Sequence, residues 1–254
     1  MYKPFDLTGH ASVITGGNGG IGLGMARALL ASGARVAIWG TNPDKTERAR
    51  IELAAFGNVH AQVCDVGDEQ AVEAAFSESV ARLGHVDACF ANAGVSSFST
   101  TISAMTHEEF RRVMRVNLDG VFFTFRAASR HMIERGSGGS LAVTASTAAV
   151  EGAARNSHYG ASKGAVTSYA RALAVELARH RIRVNSILPG WIESDMTSGI
   201  FGDDKFASAV LPRVPLRRWG TADDFGGIAV YLASDASSYM TGADLLIDGG
   251  YTKF

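Results

Sequence analysis

Ser12-Val13-Ile14-Thr15-Gly16-Gly17-Asn18-Gly19-Gly20-Ile21-Gly22 is the stretch that decides the fold. It opens as a short apolar run, which reads as a strand, and then meets five glycines in seven residues. After the turn, Ile21, Met25, Ala28 and Leu29 form one apolar stripe at helical spacing, so a helix is predicted from about Gly20 to Ser32. Gly33 closes it at the position where a left-handed residue is usual. Gly16, Gly20 and Gly22 therefore sit where a strand bends into a helix. A bend of this kind leaves backbone N–H groups and the positive helix end open, with no Cβ in the way. That is what the pyrophosphate of a dinucleotide requires. The spacing is G-x-x-x-G-x-G rather than G-x-G-x-x-G, and the strand before and helix after supply the context such a turn needs.

Working outward, short apolar runs alternate with helical patterns almost to the end. Arg35–Trp39, Val59–Cys64, Val86–Ala91, Ser140–Thr144, Ile182–Ile187 and Asp244–Ile247 read as further strands. Helices are expected over about Asp68–Leu83, Thr106–Arg135, Ser157–Arg179 and Asp223–Ser234. Asp68 is the cap candidate of the first of these and Gly84 its stop. Strands alternating with helices imply right-handed βαβ units and a parallel sheet. The fold class is α/β: a Rossmann-type doubly wound parallel sheet of about seven strands, with helices on both faces. No linker or repeat divides the chain, so residues 1–254 read as one domain. Leu188–Gly220 is the exception to the alternation. It carries Pro189, Gly190, Pro212 and Pro215 and little periodicity, and a connection that long reads as a substrate lid.

Composition sets the class. Apolar residues make up 46% and charged residues 19%, as in an ordinary globule. Lys plus Arg number 24 and Asp plus Glu 25, so nothing favours nucleic acid or an anionic membrane. Cys64 and Cys89 each fall in apolar runs and read as buried hydrophobes, which suits a reducing compartment. Met1–Asp6 lacks a signal-peptide core, and no apolar stretch reaches the roughly 20 residues of a membrane span. A cytoplasmic location is expected. The seven histidines show no metal-ligand spacing, so no metal is expected; His158 reads as a surface residue.

A second constellation follows the turn. Asn117 lies on a predicted helix, Ser146 follows an apolar strand, and Tyr159 and Lys163 stand one helical turn apart. The chain resembles the short-chain dehydrogenase/reductase family over essentially its whole length. The family turn T-G-x-x-x-G-x-G is Thr15–Gly22, and its N-N-A-G appears as Ala91-Asn92-Ala93-Gly94, with Ala in place of the first Asn. The family's catalytic Asn, Ser and Y-x-x-x-K fall on Asn117, Ser146, Tyr159 and Lys163, and its P-G on Pro189-Gly190. The resemblance implies a nicotinamide coenzyme held by Gly16, Asn18, Gly20, Ile21 and Gly22. Asp65 and Val66 would flank the adenine, Asn92, Ala93 and Gly94 the ribose side, and Pro189, Gly190 and Ile192 the nicotinamide. It also implies that Tyr159 and Lys163 contact the coenzyme, that Asn117 holds a relay water, and that the protein is a homotetramer.

These residue types suit ketone–alcohol chemistry. Hydride goes to carbon and a proton to oxygen. Tyrosine is a fitting acid, but its free pKa of about 10 must fall for it also to serve as base. The Lys163 ammonium would lower it. Ser146 would donate to the substrate oxygen as negative charge develops. At the end of the second strand, Gly40 stands where an acid would select NAD. Thr41 and Asn42 would donate to a 2′-phosphate, with Lys45 or Arg48 nearby, so NADP(H) is favoured and NAD(H) is the alternative. Lys45 and Arg48 otherwise read as a solvated helix face. Arg111, Arg112, Arg115, Arg126, Arg130 and Arg135 are expected at solvent or subunit contacts. Glu151, Trp191, Met196, Phe201 and Phe206 are candidate substrate neighbours. The expected function is an NAD(P)(H)-dependent oxidoreductase of a small-molecule ketone and its secondary alcohol. Two alternatives are a 3-oxoacyl thioester reductase of lipid synthesis and a non-catalytic dinucleotide-binding regulator. Ser137 and His180, where relatives that dock an acyl carrier protein carry basic residues, weigh against the first of these.

Overall fold

The strands are apolar on both faces, and the structure shows why. A computed structural model describes residues 3–97 and 101–253, so Met1 and Tyr2 of the N-terminal stretch lie outside it. Its strands are β1 (Ala11–Thr15), β2 (Arg35–Gly40), β3 (Val59–Val63), β4 (Ala88–Ala91), β5 (Gly139–Thr144), β6 (Ile182–Pro189) and β7 (Asp244–Ile247). They form one parallel sheet in the order β3-β2-β1-β4-β5-β6-β7. Successive residues alternate between two cores. Val13, Trp39 and Cys89 pack on one face with Phe76, Phe125 and Met132. Ile14, Ile38 and Phe90 pack on the other with Met25, Leu29 and Phe225. A sheet covered on both faces needs apolar residues at every strand position.

The helices supply those covers. They are α1 (Gly20–Ala31), α2 (Pro43–Leu53), α3 (Glu69–Leu83), α4 (His107–Met114), α5 (Gly120–Arg135), α6 (Ser157–Leu177), α7 (Ser198–Phe201), α8 (Asp204–Val210) and α9 (Gly226–Ala233). Asp68 caps α3, accepting from the N–H groups of Gln70 and Ala71 at 2.9 and 3.1 Å. Gly84 ends α3 at φ 83°.

Three expectations shift in detail. The helix expected over 106–135 is broken by a π-helical turn at Arg115–Asp119, with Asn117 fully buried within it. Inserted π turns of this kind often mark functional positions. The segment 188–220 holds the two short helices α7 and α8. The element the alternation left undescribed is α2, although its start is legible: Asn42 caps it by accepting from Lys45 N–H at 2.9 Å, and Pro43 follows at its first position.

The strand order reverses between β1 and β4, and a crevice opens there at the carboxyl ends of the strands. Helix α1 crosses the segment before α9 at Gly24. A Cβ there would fall inside the van der Waals shell of the Ala222 carbonyl oxygen and 3.0 Å from Ala222 Cβ. Gly24→Ala is expected to cost about 1–3 kcal/mol of stability, as overpacking does, and thermal unfolding measures it.

Candidate active site

The carboxyl ends of β1 to β6 converge on one cleft of about 900 Å³. Gly16, Asn18, Gly20 and Ile21 line it from the first turn, Thr41 from the end of β2, and Asp65 and Val66 from the end of β3. Asn92, Ala93 and Gly94 line it beyond β4, Ser146 beyond β5, and Pro189, Gly190 and Ile192 at and beyond β6. Tyr159 and Lys163 enter from α6. Three expected residues do not line it. Gly22 instead lets the turn close on itself: a Cβ there would strike the Gly16 carbonyl and come within 2.6 Å of Asn92 Nδ2. Asn42 spends its side-chain oxygen on capping α2. Asn117 lies behind the wall.

The glycine turn is held by side chains. Thr15 Oγ1 accepts from the N–H groups of Asn92 and Ala93, both at 3.0 Å. Asn92 Nδ2 donates to the carbonyls of Thr15 and Gly16 at 3.1 and 3.3 Å, and its Oδ1 accepts from Thr144 Oγ1 at 3.0 Å. The backbone twists to φ 64° at Gly16 and 50° at Gly20, the left-handed region that favours glycine.

Ser146 caps a 3-10 turn, its Oγ accepting from Ala148 N–H at 3.1 Å. Accepting there leaves its own O–H to donate on the cleft side, where it reaches Tyr159. Lys163 is 4% exposed, and its Nζ donates to the Thr144 carbonyl at 2.7 Å. The Asn117 amide is fully engaged. Its Oδ1 accepts from Val95 N–H at 2.8 Å, and its Nδ2 donates to Val95 O and Ser162 Oγ, both at 3.0 Å. A Cβ on Gly94 would lie 3.4 Å from both Asn117 Oδ1 and Lys163 Nζ.

Burial decides the protonation balance, and it runs against one expectation. Burial pushes the Lys163 amine down to about 8. It also pushes the Tyr159 phenol up, with a hydrogen bond from Ser146 pulling the other way. The Tyr159 side chain is only partly buried, so solvent in the cleft softens that push. Lys163 therefore does not lower the phenol by itself. Its amine lies 5.5 Å from the ring centre and is bonded to Thr144 instead.

One further expectation is corrected. His158 is buried, at 1% exposure, not on the surface. Its Nε2 lies 3.0 Å from Ser97 Oγ and 3.4 Å from Glu109 Oε1. Arg112 and Ser97 hold the Glu109 carboxyl down to about 2. Arg112 and Arg115 are exposed, as expected, and both also line the cleft. Arg115 donates to Asp65 Oδ2 at 2.9 Å, while Gly67 N–H donates to Asp65 Oδ1 at 2.9 Å, so both oxygens of that carboxylate are engaged.

Sequence reasoning also missed a pair across the cleft. Lys45 Nζ of α2 meets Asp195 Oδ2 at 2.5 Å, and it lies 2.6 Å from where a Gly19 Cβ would sit. Among the substrate candidates, Glu151, Trp191, Met196 and Phe206 line the cleft. Phe201 does not; it stacks on Trp219 with centroids 4.2 Å apart.

A family model described as enoyl-(acyl carrier protein) reductase matches residues 16–252. The chain belongs to the short-chain dehydrogenase/reductase family. It is 35% identical to the 3-oxoacyl-[acyl-carrier-protein] reductase of Chlamydia pneumoniae, over 97% of this chain and 98% of that protein. A short-chain type dehydrogenase/reductase from Mycobacterium marinum superposes with a TM-score of 0.93 at 38% identity, covering 98% of each chain. A gluconate 5-dehydrogenase from Burkholderia cenocepacia, solved in complex with NADP and tartrate, does so with a TM-score of 0.93 at 34% identity, covering 99% of this chain and 98% of that one. This member of the family is an NAD(P)-dependent oxidoreductase acting on an alcohol or its ketone. Among the described residues, no helix is long and apolar enough to cross a membrane.

The Lys163 shift has a measurable sign. Folded, the amine loses its proton near 8; unfolded, near its ordinary 10.5. Between those values the unfolded chain binds more protons, so this group's contribution to stability rises with pH. Comparing thermal unfolding of Lys163→Met with the parent is expected to show the difference moving in the parent's favour as pH climbs through that window.

Proposed function

We propose that the protein is an NADP(H)-dependent reductase of a small ketone, or dehydrogenase of its secondary alcohol, with Ser146, Tyr159 and Lys163 at the reacting atoms. The observation that carries this reading is their convergence. All three line one cleft with the glycine turn, on a buried amine tied to the strand beside Ser146. The cleft fits a dinucleotide. Gly16 and Gly94 put bare backbone on its walls: a Cβ at Gly16 would lie 3.0 Å from Ala93 Cα, and one at Gly94 would sit 3.4 Å from Lys163 Nζ. Gly16, Asn18, Gly20 and Ile21 would hold the pyrophosphate, and Ala93 and Gly94 the ribose side, with Pro189, Gly190 and Ile192 beside the nicotinamide. When bound, the nicotinamide supplies or takes the hydride and, oxidised, carries a positive charge.

The chain's own residues handle the oxygen. Ser146 turns its O–H from Tyr159 to the substrate oxygen and holds that oxygen beside Tyr159. Tyr159 gives its phenolic proton to that oxygen in reduction and takes it back in oxidation. A nearby positive charge is what the phenol needs, since burial alone holds it protonated. Lys163 contributes part of that charge and reprotonates Tyr159. The Asn117 amide is spent on Val95 and Ser162, so its backbone carbonyl at the π turn is the group left to hold a relay water.

Three features support NADP(H). Gly40 offers no acid to a ribose 2′-hydroxyl, and the Asn18 amide fills the space where a Cβ at position 40 would lie. Thr41 is exposed at the cleft edge. Lys45 stands over the turn, and its partner Asp195 is highly exposed, so the pair is worth about 0–1 kcal/mol and yields readily to a phosphate. The family member solved with NADP accords with this. The segment 188–220 covers the substrate side as a lid within one domain, residues 1–254. Exposed Phe122 on α5 and Val175 on α6 support a subunit contact and a homotetramer. Burial pushes the Cys64 and Cys89 thiols up to about 12, which suits unreactive cysteines in the cytoplasm. Against docking of an acyl carrier, the Arg135 guanidinium is bonded to Asp87 at 2.6 Å and Arg179 to His180 at 3.1 Å.

With NADPH and a panel of cyclic and open-chain ketones, substrate-dependent NADPH oxidation is expected. Tyr159→Phe should lower turnover by about 10²–10⁴. Near-parental turnover in that variant would remove Tyr159 from the mechanism. Lys45→Ala should raise the KM for NADPH about tenfold, the worth of one charged contact, and leave that for NADH unchanged. Equal effects on both coenzymes would refute the 2′-phosphate role.

A further inference from the structure

Beyond Ser146, the cleft is bounded by the segments 146–154 and 189–191 together with Phe206 and Tyr251. Their lining residues are small or aromatic, with one exception. Glu151 is the single charged residue among them. Trp191 forms the wall opposite, its ring edge-on to Phe206 at 5.1 Å and to Tyr251 at 6.2 Å. Arg213 is the cation whose charge reaches Glu151; its guanidinium lies 4.6 Å over the Tyr251 ring and does not line the cleft. Asp248 adds a further negative charge to the same neighbourhood. No ion pair is made by Glu151 among the described residues.

Two polar groups close by have no partner among the described residues. The Trp191 indole N–H is buried and unbonded. One end of the Asn156 amide donates to Ser96 Oγ at 2.9 Å, while the other end, on a residue 2% exposed, bonds nothing. Both residues line the cleft. Buried polar groups are normally satisfied, and each exception asks for a partner. The Glu151 carboxylate accepts from the Thr147 side chain and keeps further acceptor capacity, so the groups on offer are a donor, an amide end and the rest of a carboxylate, set among aromatic faces. Apolar walls with a few convergent polar groups are the usual form of a small-molecule site.

The geometry points to an uncharged, hydroxyl-bearing ring ketone, or its alcohol, as the substrate, with the Glu151 carboxylate accepting from a substrate hydroxyl and turning away substrates that carry a carboxylate. The inference rests on the ketone–alcohol reading of this same cleft. A hydroxyl is a donor, and it meets a charged acceptor here, the stronger kind of hydrogen bond. A substrate carboxylate would bring a like charge beside Glu151 into a partly desolvated space whose lining there holds no cation. Burial and Asp248 push the Glu151 carboxyl up and Arg213 pulls it down, so mildly alkaline solution keeps it ionised.

The test uses a matched set: 3-hydroxycyclohexanone, 3-oxocyclohexanecarboxylate and bare cyclohexanone. Each is titrated into NADP⁺-saturated protein with tryptophan fluorescence as the binding readout, and each is then assayed with NADPH at mildly alkaline pH. The parent should bind and turn over the hydroxyketone at least about tenfold better than the carboxylate, the worth of one charged hydrogen bond. Glu151→Gln should narrow that ratio about tenfold while cyclohexanone changes by less than about twofold, as expected for a group that touches only the substituent. Glu151→Asp, which keeps the charge, should keep the preference. The inference is overturned if the ratio is the same in the parent and Glu151→Gln, if the parent binds the carboxylate as well as the hydroxyketone, or if the hydroxyketone does not bind. Discriminating binding without any NADPH oxidation would sustain the role of Glu151 and sink the catalytic reading instead.

Discussion

One line of hydrogen bonds joins the two halves of this site. Thr15 at the end of β1 is bonded to Asn92 beyond β4, and Asn92 Oδ1 accepts from Thr144 at the end of β5. The Thr144 carbonyl then accepts from Lys163 of α6. The brace crosses the point where the sheet reverses its winding. It sets the glycine turn and the buried amine at a fixed separation on strands that cannot slide independently. Apolar packing on both faces keeps those strands rigid but does not fix where their ends lie. The side-chain bonds do, and they are formed by residues whose partners lie 19 to 78 positions away in sequence.

That separation explains what could be read from sequence. The β1 turn, Asp68, Gly84 and the Tyr159–Lys163 step are local signals, set by periodicity, caps or a helical repeat. All of them hold in the structure. The contacts that escaped reading are those between segments far apart in the chain. Lys45 and Asp195 are 150 residues apart, and Arg115 and Asp65 are 50 apart. No local pattern foretells either pair. His158 escaped for a different reason. A polar residue one position from a site residue reads as surface unless its partners are known, and Ser97 and Glu109 come from other elements. The start of α2 was the recoverable omission, because Asn42-Pro43 is itself a helix-start signal.

The charges around the cleft are largely committed to one another. Arg115 holds Asp65, Arg112 holds Glu109, and Lys45 holds Asp195. Pairs of this kind are partly exposed and individually weak, so a ligand that offers a better partner can displace one of them at little cost. Arg115 with Asp65 closes the end of the cleft beyond β3 in a fixed shape. Lys45 with Asp195 differs, because its two members come from α2 and from the segment beyond β6.

Burial of Lys163 is where function and folding oppose each other. A buried amine pushed down to about 8 is a cost the fold bears, and the Thr144 carbonyl offsets only part of it. The same burial makes the group useful. A solvated ammonium one turn from Tyr159 would be screened and would act weakly on the phenol. Placed in the wall, it acts through a medium of low polarity, and its proton can pass to Tyr159 without competition from bulk water. Tyr159 then needs only a further positive charge in the cleft to loosen its own proton. Neither group alone has the protonation that ketone–alcohol chemistry requires at neutral pH. Each is shifted by burial toward the neutral form, the phenol upward and the amine downward. Their pKa values are thereby moved apart, with the amine below the phenol, so in the proposed mechanism the proton passes downhill from the ammonium to the phenolate that ketone reduction leaves.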